Sequence, residues 1–248
     1  MHVDIAFILC ATIAVVISGL AKGGFSGLGA LAMPVMALAI DPLRGAAILL
    51  PILIVQDVVS VWAFRRTWDG TVLAVMLPGM AVGVVIAYFF AARVPETTVL
   101  GVLGFISVLF GLQRLWMERG GKIPVASSSP LWVGTLFGVA SGFTSQIAHA
   151  GSPPFQMWVL PRRLPRDMLV GTTAIAFATM NWMKVPAYAA LGQFTPANLT
   201  ITALLVPVAL VSTLAGVALV RRIDPARFYT LIYVLMVLLG LKLIANAL

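Results

Sequence analysis

The sequence predicts an all-α polytopic membrane protein of two inverted repeats, each a broken re-entrant hairpin followed by three transmembrane helices. Three observations carry this: an apolar composition, bilayer-length apolar runs with two interrupted exceptions, and arginines gathered in the short gaps between runs. Of 248 residues, 61% are apolar and only 10% charged, against roughly 25% charged in soluble domains. A soluble fold this small has too little interior for so many apolar side chains, and a disordered chain is polar. Mean hydropathy of +1.06 agrees with a chain whose solvent is lipid.

Full apolar runs lie at about 45–64, 71–92, 98–117, 168–190, 197–220 and 226–247, each near the roughly 20 residues that cross a bilayer. These are six expected spans. Two further stretches, about 5–40 and 131–160, are interrupted at Gly19 to Gly29 and at Ser141 to Pro154. Phe155 to Leu160 is too short to cross, so a helix that enters, breaks and returns is the better reading. The start, Met1-His2-Val3-Asp4, has no basic n-region, and the first apolar run is expected to stay in the mature protein.

Sixteen Lys and Arg against eight Asp and Glu give a net charge of +8. Arg65-Arg66, Arg114 to Lys122, Arg162 to Arg166 and Arg221 to Arg227 lie at the ends of apolar runs or in the gaps between them, which reads as positive-inside orientation rather than as a nucleic-acid groove. With these gaps inside, the 131–160 stretch must begin and end on the cytoplasmic side. Asp41 to Arg44, Arg93 to Glu96 and Leu191 to Pro196 then fall outside, and both termini are periplasmic. Repeat 1 covers about 1–119, a linker about 120–130, and repeat 2 about 131–248, forming one integral domain. An odd number of spans inverts the second copy. Echoes in order support the repeat: Ser18-Gly19-Leu20 with Ser141-Gly142-Phe143, Pro42 with Pro165, Pro78 with Pro207, and Gly111-Leu112 with Gly240-Leu241. Paired interrupted segments in two halves point to the binding site of a secondary transporter.

Chemistry concentrates at those breaks. In Gly19 to Gly29, the glycines Gly23, Gly24 and Gly27, with Ser26, let backbone approach a ligand, and Lys22 adds a full positive charge beside helix starts that attract anions. The competing reading has Lys22 snorkelling from an ordinary helix end and the glycines serving close packing. In the second break, Ser152 is expected as N-cap and Pro153 as first helical residue, ahead of a second positive helix end near Gly151. Gln146 and His149 would donate to an oxyanion, and His149 would also carry a proton; alternatively both bind the loop's own carbonyls. On the full spans, Gln56 and Asp57, and Asn181 and Lys184 in the equivalent span, are costly inside a bilayer and therefore candidates. Asp57, His149 and Lys184 are the proton-coupling candidates. Thr172 and Thr173 are expected to bond back to their own helix. Of the tryptophans, only Trp182 lies deep enough in its span for a pocket wall; those near loops are expected as interfacial anchors.

The single Cys10 permits no internal disulfide, and the sequence holds no P-loop and no paired Cys or His at metal-ligand spacing. No cofactor and no metal are expected. The expected partners are a small anionic substrate and the lipid bilayer, with no nucleic acid and the oligomeric state open. Two other classes remain: an anion channel of the same topology, and an intramembrane serine hydrolase using Ser145 and His149, four residues apart but without a G-x-S-x-G elbow.

Lys22-Gly23-Gly24 within Gly19 to Gly29, the run Leu-Pro-Ile-Leu-Ile-Val-Gln-Asp ending at Asp57, Gln146 to Pro154, and Asn181-Trp182-Met183-Lys184-Val185-Pro186 with Tyr188 and Gly192 together resemble the sulfite exporter TauE/SafE family. The resemblance spans nearly the whole chain. It implies movement of sulfite, small organosulfonates or related oxyanions across a bacterial inner membrane.

Overall fold

The computed structural model describes residues 4–25, 28–91, 95–120, 129–219 and 226–248, and these form helices with no strand among them. The order is α1 (Ile5–Lys22), a 3-10 turn (Leu28–Leu31), α2 (Ala32–Met36), α3 (Pro42–Phe64), α4 (Gly70–Ala91), α5 (Glu96–Glu118), α6 (Leu131–Ala148), α7 (Ser152–Val159), a 3-10 turn (Leu160–Arg162), α8 (Arg166–Ala190), α9 (Pro196–Leu219) and α10 (Ala226–Ala247). Ser26 and Gly27, most of the expected linker, and the basic stretch up to Asp224 lie outside the described residues.

Local chemistry starts the helices where the pattern predicts. The Asp41 carboxylate accepts the Arg44 amide at 2.8 Å with Pro42 in the first turn of α3, and Asp69 accepts the amides of Thr71 and Val72 at 2.8 and 3.0 Å ahead of α4. Prolines 51, 78, 186 and 207 lie inside α3, α4, α8 and α9. A proline withholds one backbone donor and loosens the preceding turn, where side chains of other elements can approach the carbonyls. Around Pro51, the Ile48 carbonyl accepts from the Thr202 hydroxyl at 3.0 Å and the Ala46 carbonyl from the His149 ring at 2.8 Å.

Four of the six expected spans, Pro42–Phe64, Gly70–Phe90, Thr97–Met117 and Pro196–Leu219, are long and apolar enough to cross a membrane, and so is Ile5–Lys22. The first arm of the first broken stretch is therefore of crossing length, where the sequence offered only a kinked half. α8 has 25 residues but falls short of the same apolarity, because it carries Thr172, Thr173, Asn181 and Lys184. The described apolar stretch of α10 is Tyr233–Ala247.

Packing is by close helix pairs: α1 on α9, α4 on α6, and α5 on α10, with α3 against α8 and α9 and α4 against α8. Small residues make these approaches possible. A Cβ on Gly104 of α5 would stand 2.6 Å from the Gly240 carbonyl of α10, and one on Gly240 would stand 2.7 Å from the Gly104 carbonyl. Likewise a Cβ on Gly216 of α9 would meet the Leu20 carbonyl of α1 at 2.9 Å. Glycine there lets backbone lie on backbone.

Candidate functional site

Both chain breaks exist, and they meet. α1 stops at Lys22, and a turn through Gly23 and Gly24, the latter at φ 127°, redirects the chain toward α2. α6 stops at Ala148, with His149 in the left-handed region at φ 50° and its amide on the Ser145 carbonyl at 3.0 Å. The second break is thus narrower than Ser141 to Pro154: residues 141–148 complete α6. Their polar side chains bond locally, Ser141 to the Gly151 carbonyl at 2.7 Å and Thr144 to the Ala140 carbonyl at 2.8 Å.

The start of α7 also departs from expectation. Gly151 precedes the helix and Ser152 is its first residue, with no side-chain cap; the Ser152 hydroxyl instead accepts the Gln156 amide at 2.7 Å. Pro153 and Pro154 have no N–H, so this helix end offers fewer free donors than a typical first turn. Whatever binds here is held mainly by side chains.

Between the breaks lies a cavity of about 90 Å³, lined by Lys22 and Gly24 from the first, His149 and Ser152 from the second, and Asn181 of α8. A water needs roughly 10–15 Å³ of such space, so a small polyatomic ion fits. Beneath this lining, Asp57 of α3 is 2% exposed. Its carboxylate forms an ion pair with the Lys22 ammonium through Oδ1 and accepts the Asn181 amide through Oδ2 at 2.6 Å. Lys22 also lies 5.5 Å from the Phe177 ring, on the cavity wall.

Lys184 is fully buried. Its ammonium donates to His149 Nδ1 at 2.7 Å, to the Ser145 hydroxyl at 3.1 Å and to the Ser145 carbonyl at 3.4 Å. His149 Nε2 lies 2.8 Å from the Ala46 carbonyl, which can only accept, so Nε2 carries the proton and Nδ1 presents its lone pair to the lysine. Both ring nitrogens are therefore engaged, and in this conformation His149 has no free donor for an anion. Neither nitrogen bonds the Ser145 hydroxyl, so these contacts assemble no serine–histidine pair. Lys22, Lys184 and Asp57 together leave one uncompensated positive charge in the interior when all are ionised.

Several expected site residues sit elsewhere. Gly23 packs against Gly216 rather than on the cavity wall, and Gly151 against Ser141 and Ser145. Gln146 is 2% exposed, off the cavity, and both polar atoms of its side chain lack a partner among the described residues. Thr172 and Thr173 bond back to Met168 and Leu169, as expected, although Thr173 also touches the cavity. Trp182 is 62% exposed and faces outward; Trp158 is the fully buried tryptophan, stacked under the Arg162 guanidinium at 3.3 Å. Residues the sequence reading did not single out are Ser60, which donates to the Lys22 carbonyl at 2.7 Å, and Gln156, whose Oε1 is buried without a partner among the described residues. Their signal was spacing: Ser60 follows Asp57 by three and Gln156 follows Ser152 by four, one helical turn each. Among the described residues no three His, Cys, Asp or Glu gather as a metal site.

No curated protein and no solved structure matches the chain. The family model described as sulfite exporter TauE/SafE matches residues 10–243, a span that includes both breaks, the α3 carboxylate and the α8 lysine. With its apolar helices and a buried cationic cavity, the chain belongs to the sulfite exporter TauE/SafE family, a family of membrane transporters.

Proposed function

We propose that the protein is a secondary transporter that moves sulfite or a small organosulfonate across a bacterial inner membrane by alternating access, with both termini periplasmic. The observation that carries the reading is the cavity at the junction of the two breaks, where the Lys22 ammonium and Asn181 amide face space sized for a small oxyanion. Charge-assisted hydrogen bonds in a dry interior hold such an anion strongly.

Two inverted copies rocking about this cavity would open it to each side in turn. Reciprocal packing supports the copies: α4 lies on α6 and α8 as α9 lies on α1 and α3. Gly104 meets Gly240 while Gly111 approaches Tyr233, each pair the other's counterpart at an offset of 129. Ser60 donates to the Lys22 carbonyl as Lys184 donates to the Ser145 carbonyl. Asp57 and Asn181, equivalent by the same logic, touch each other. Protons drive the cycle, with Asp57, His149 and Lys184 the ionisable groups beside the Lys22 junction.

The test is a thermal-shift panel of sulfite, sulfate, thiosulfate, organosulfonates and carboxylates on purified protein. A ligand bound by the folded state alone raises the melting temperature, by about 2.7 kcal/mol of stability at a hundred times its Kd. Stabilisation by sulfite or a sulfonate above carboxylates is the expected result. Equal, negligible shifts across the panel would remove the substrate assignment.

A further inference from the structure

On the transport reading above, we propose that Asp57 is a built-in competitor of the transported anion, which is admitted only after a proton neutralises that carboxylate. A carboxylate is itself a small oxyanion, and Asp57 occupies the Lys22 ammonium with one oxygen and the Asn181 amide with the other. Lys22 and Asn181 are also the ammonium and the amide donor that meet Asp57 from the cavity wall, and Asp57 is not part of that wall. An anion arriving in the cavity finds these donors turned to a tethered rival. Adding a second negative charge beside the first is costly in an interior of low dielectric.

The surrounding ionisable groups leave Asp57 as the group that resolves this conflict. α1 contributes Lys22; α8 contributes Lys184; the turn after α6 contributes His149, and those last two are closed on each other and on Ser145. The segments α2, α6, α7 and α9 carry no ionisable residue. On α5, Arg114 lies over the rings of Phe110 and Tyr233, at 5.0 and 5.9 Å. Among the described acidic residues, Asp57 alone sits more than a turn from a helix end.

The exchange balances. A proton adds to the Asp57 carboxylate, which becomes a neutral acid; Lys22 keeps its own proton and charge and turns its ammonium to the incoming anion. On release of the anion, Asp57 loses its proton and recaptures Lys22. One proton accompanies each monovalent anion in the same direction, and the interior never holds both negative charges on one ammonium.

The test uses methanesulfonate, whose charge does not change over the range, with binding to the full chain in detergent measured by calorimetry at about pH 5.5 and about pH 8, in wild type and Asp57→Asn. Wild type is expected to bind at least about tenfold more weakly at the higher pH, each unit above the titration midpoint costing a factor of ten. Asp57→Asn, with the competitor's charge removed, is expected to bind equally at both. Wild-type affinity independent of pH would overturn the proposal even if the variant failed to fold, and so would a variant retaining the wild-type dependence. No binding in any arm would overturn the sulfonate reading itself, and the proposal with it.

Discussion

Lys22, the last residue of α1, and Lys184, within α8, both lie at the junction of the two breaks, yet their surroundings divide them into different tasks. Lys22 touches the cavity, and its partner is a carboxylate. Lys184 is fully buried, and its partners are a neutral ring nitrogen, a hydroxyl and a carbonyl. A charge matched by a charge can be handed from one anion to another. A charge matched by three dipoles is held in place, and here it fixes the turn at His149 against α8. The comparison teaches that the lysine proposed to bind the anion is recognised by its carboxylate partner and its open side, and the other lysine by its filled valences.

The largest effect that would break the comparison comes from Lys22→Ala. It leaves Asp57 buried without its counter-charge, and the folded state is expected to lose about 3–5 kcal/mol in a denaturation series, together with anion binding. The neutral pair Lys22→Gln/Asp57→Asn is expected to recover most of that stability without recovering binding. Lys184→Met removes three hydrogen bonds but strands no carboxylate; about 1–3 kcal/mol is expected, with a smaller effect on affinity than on melting. If Lys184→Met weakened anion binding as much as Lys22→Ala, the division of roles would be lost. Ser60→Ala deletes one hydroxyl donor to the Lys22 carbonyl and should cost about 1 kcal/mol. Smallest is Trp182→Ala, expected to stay within about 0.5 kcal/mol and to leave affinity unchanged, because the ring faces outward.

Hydropathy exposed four of the six expected spans and both breaks, since each depends on a local run of residues. Contacts between distant residues were not legible. Lys22 and Asp57 are 35 positions apart, Asp57 and Asn181 are 124, and neither distance leaves a periodic signal. The second break is shorter than its serines and threonines suggest, because Thr144 satisfies its hydroxyl on its own helix and lets α6 continue. Trp182 departs from expectation for a related reason. Depth along a span says nothing about which face a side chain occupies, and on α8 the interior face belongs to Asn181 and Lys184.

Counterflow of labelled sulfite in proteoliposomes tests most directly whether the junction of the two breaks carries the anion. Wild type should exchange internal for external sulfite, while Lys22→Gln/Asp57→Asn, folded but lacking the cationic partner, should not. Exchange by that variant at the wild-type rate would contradict the account.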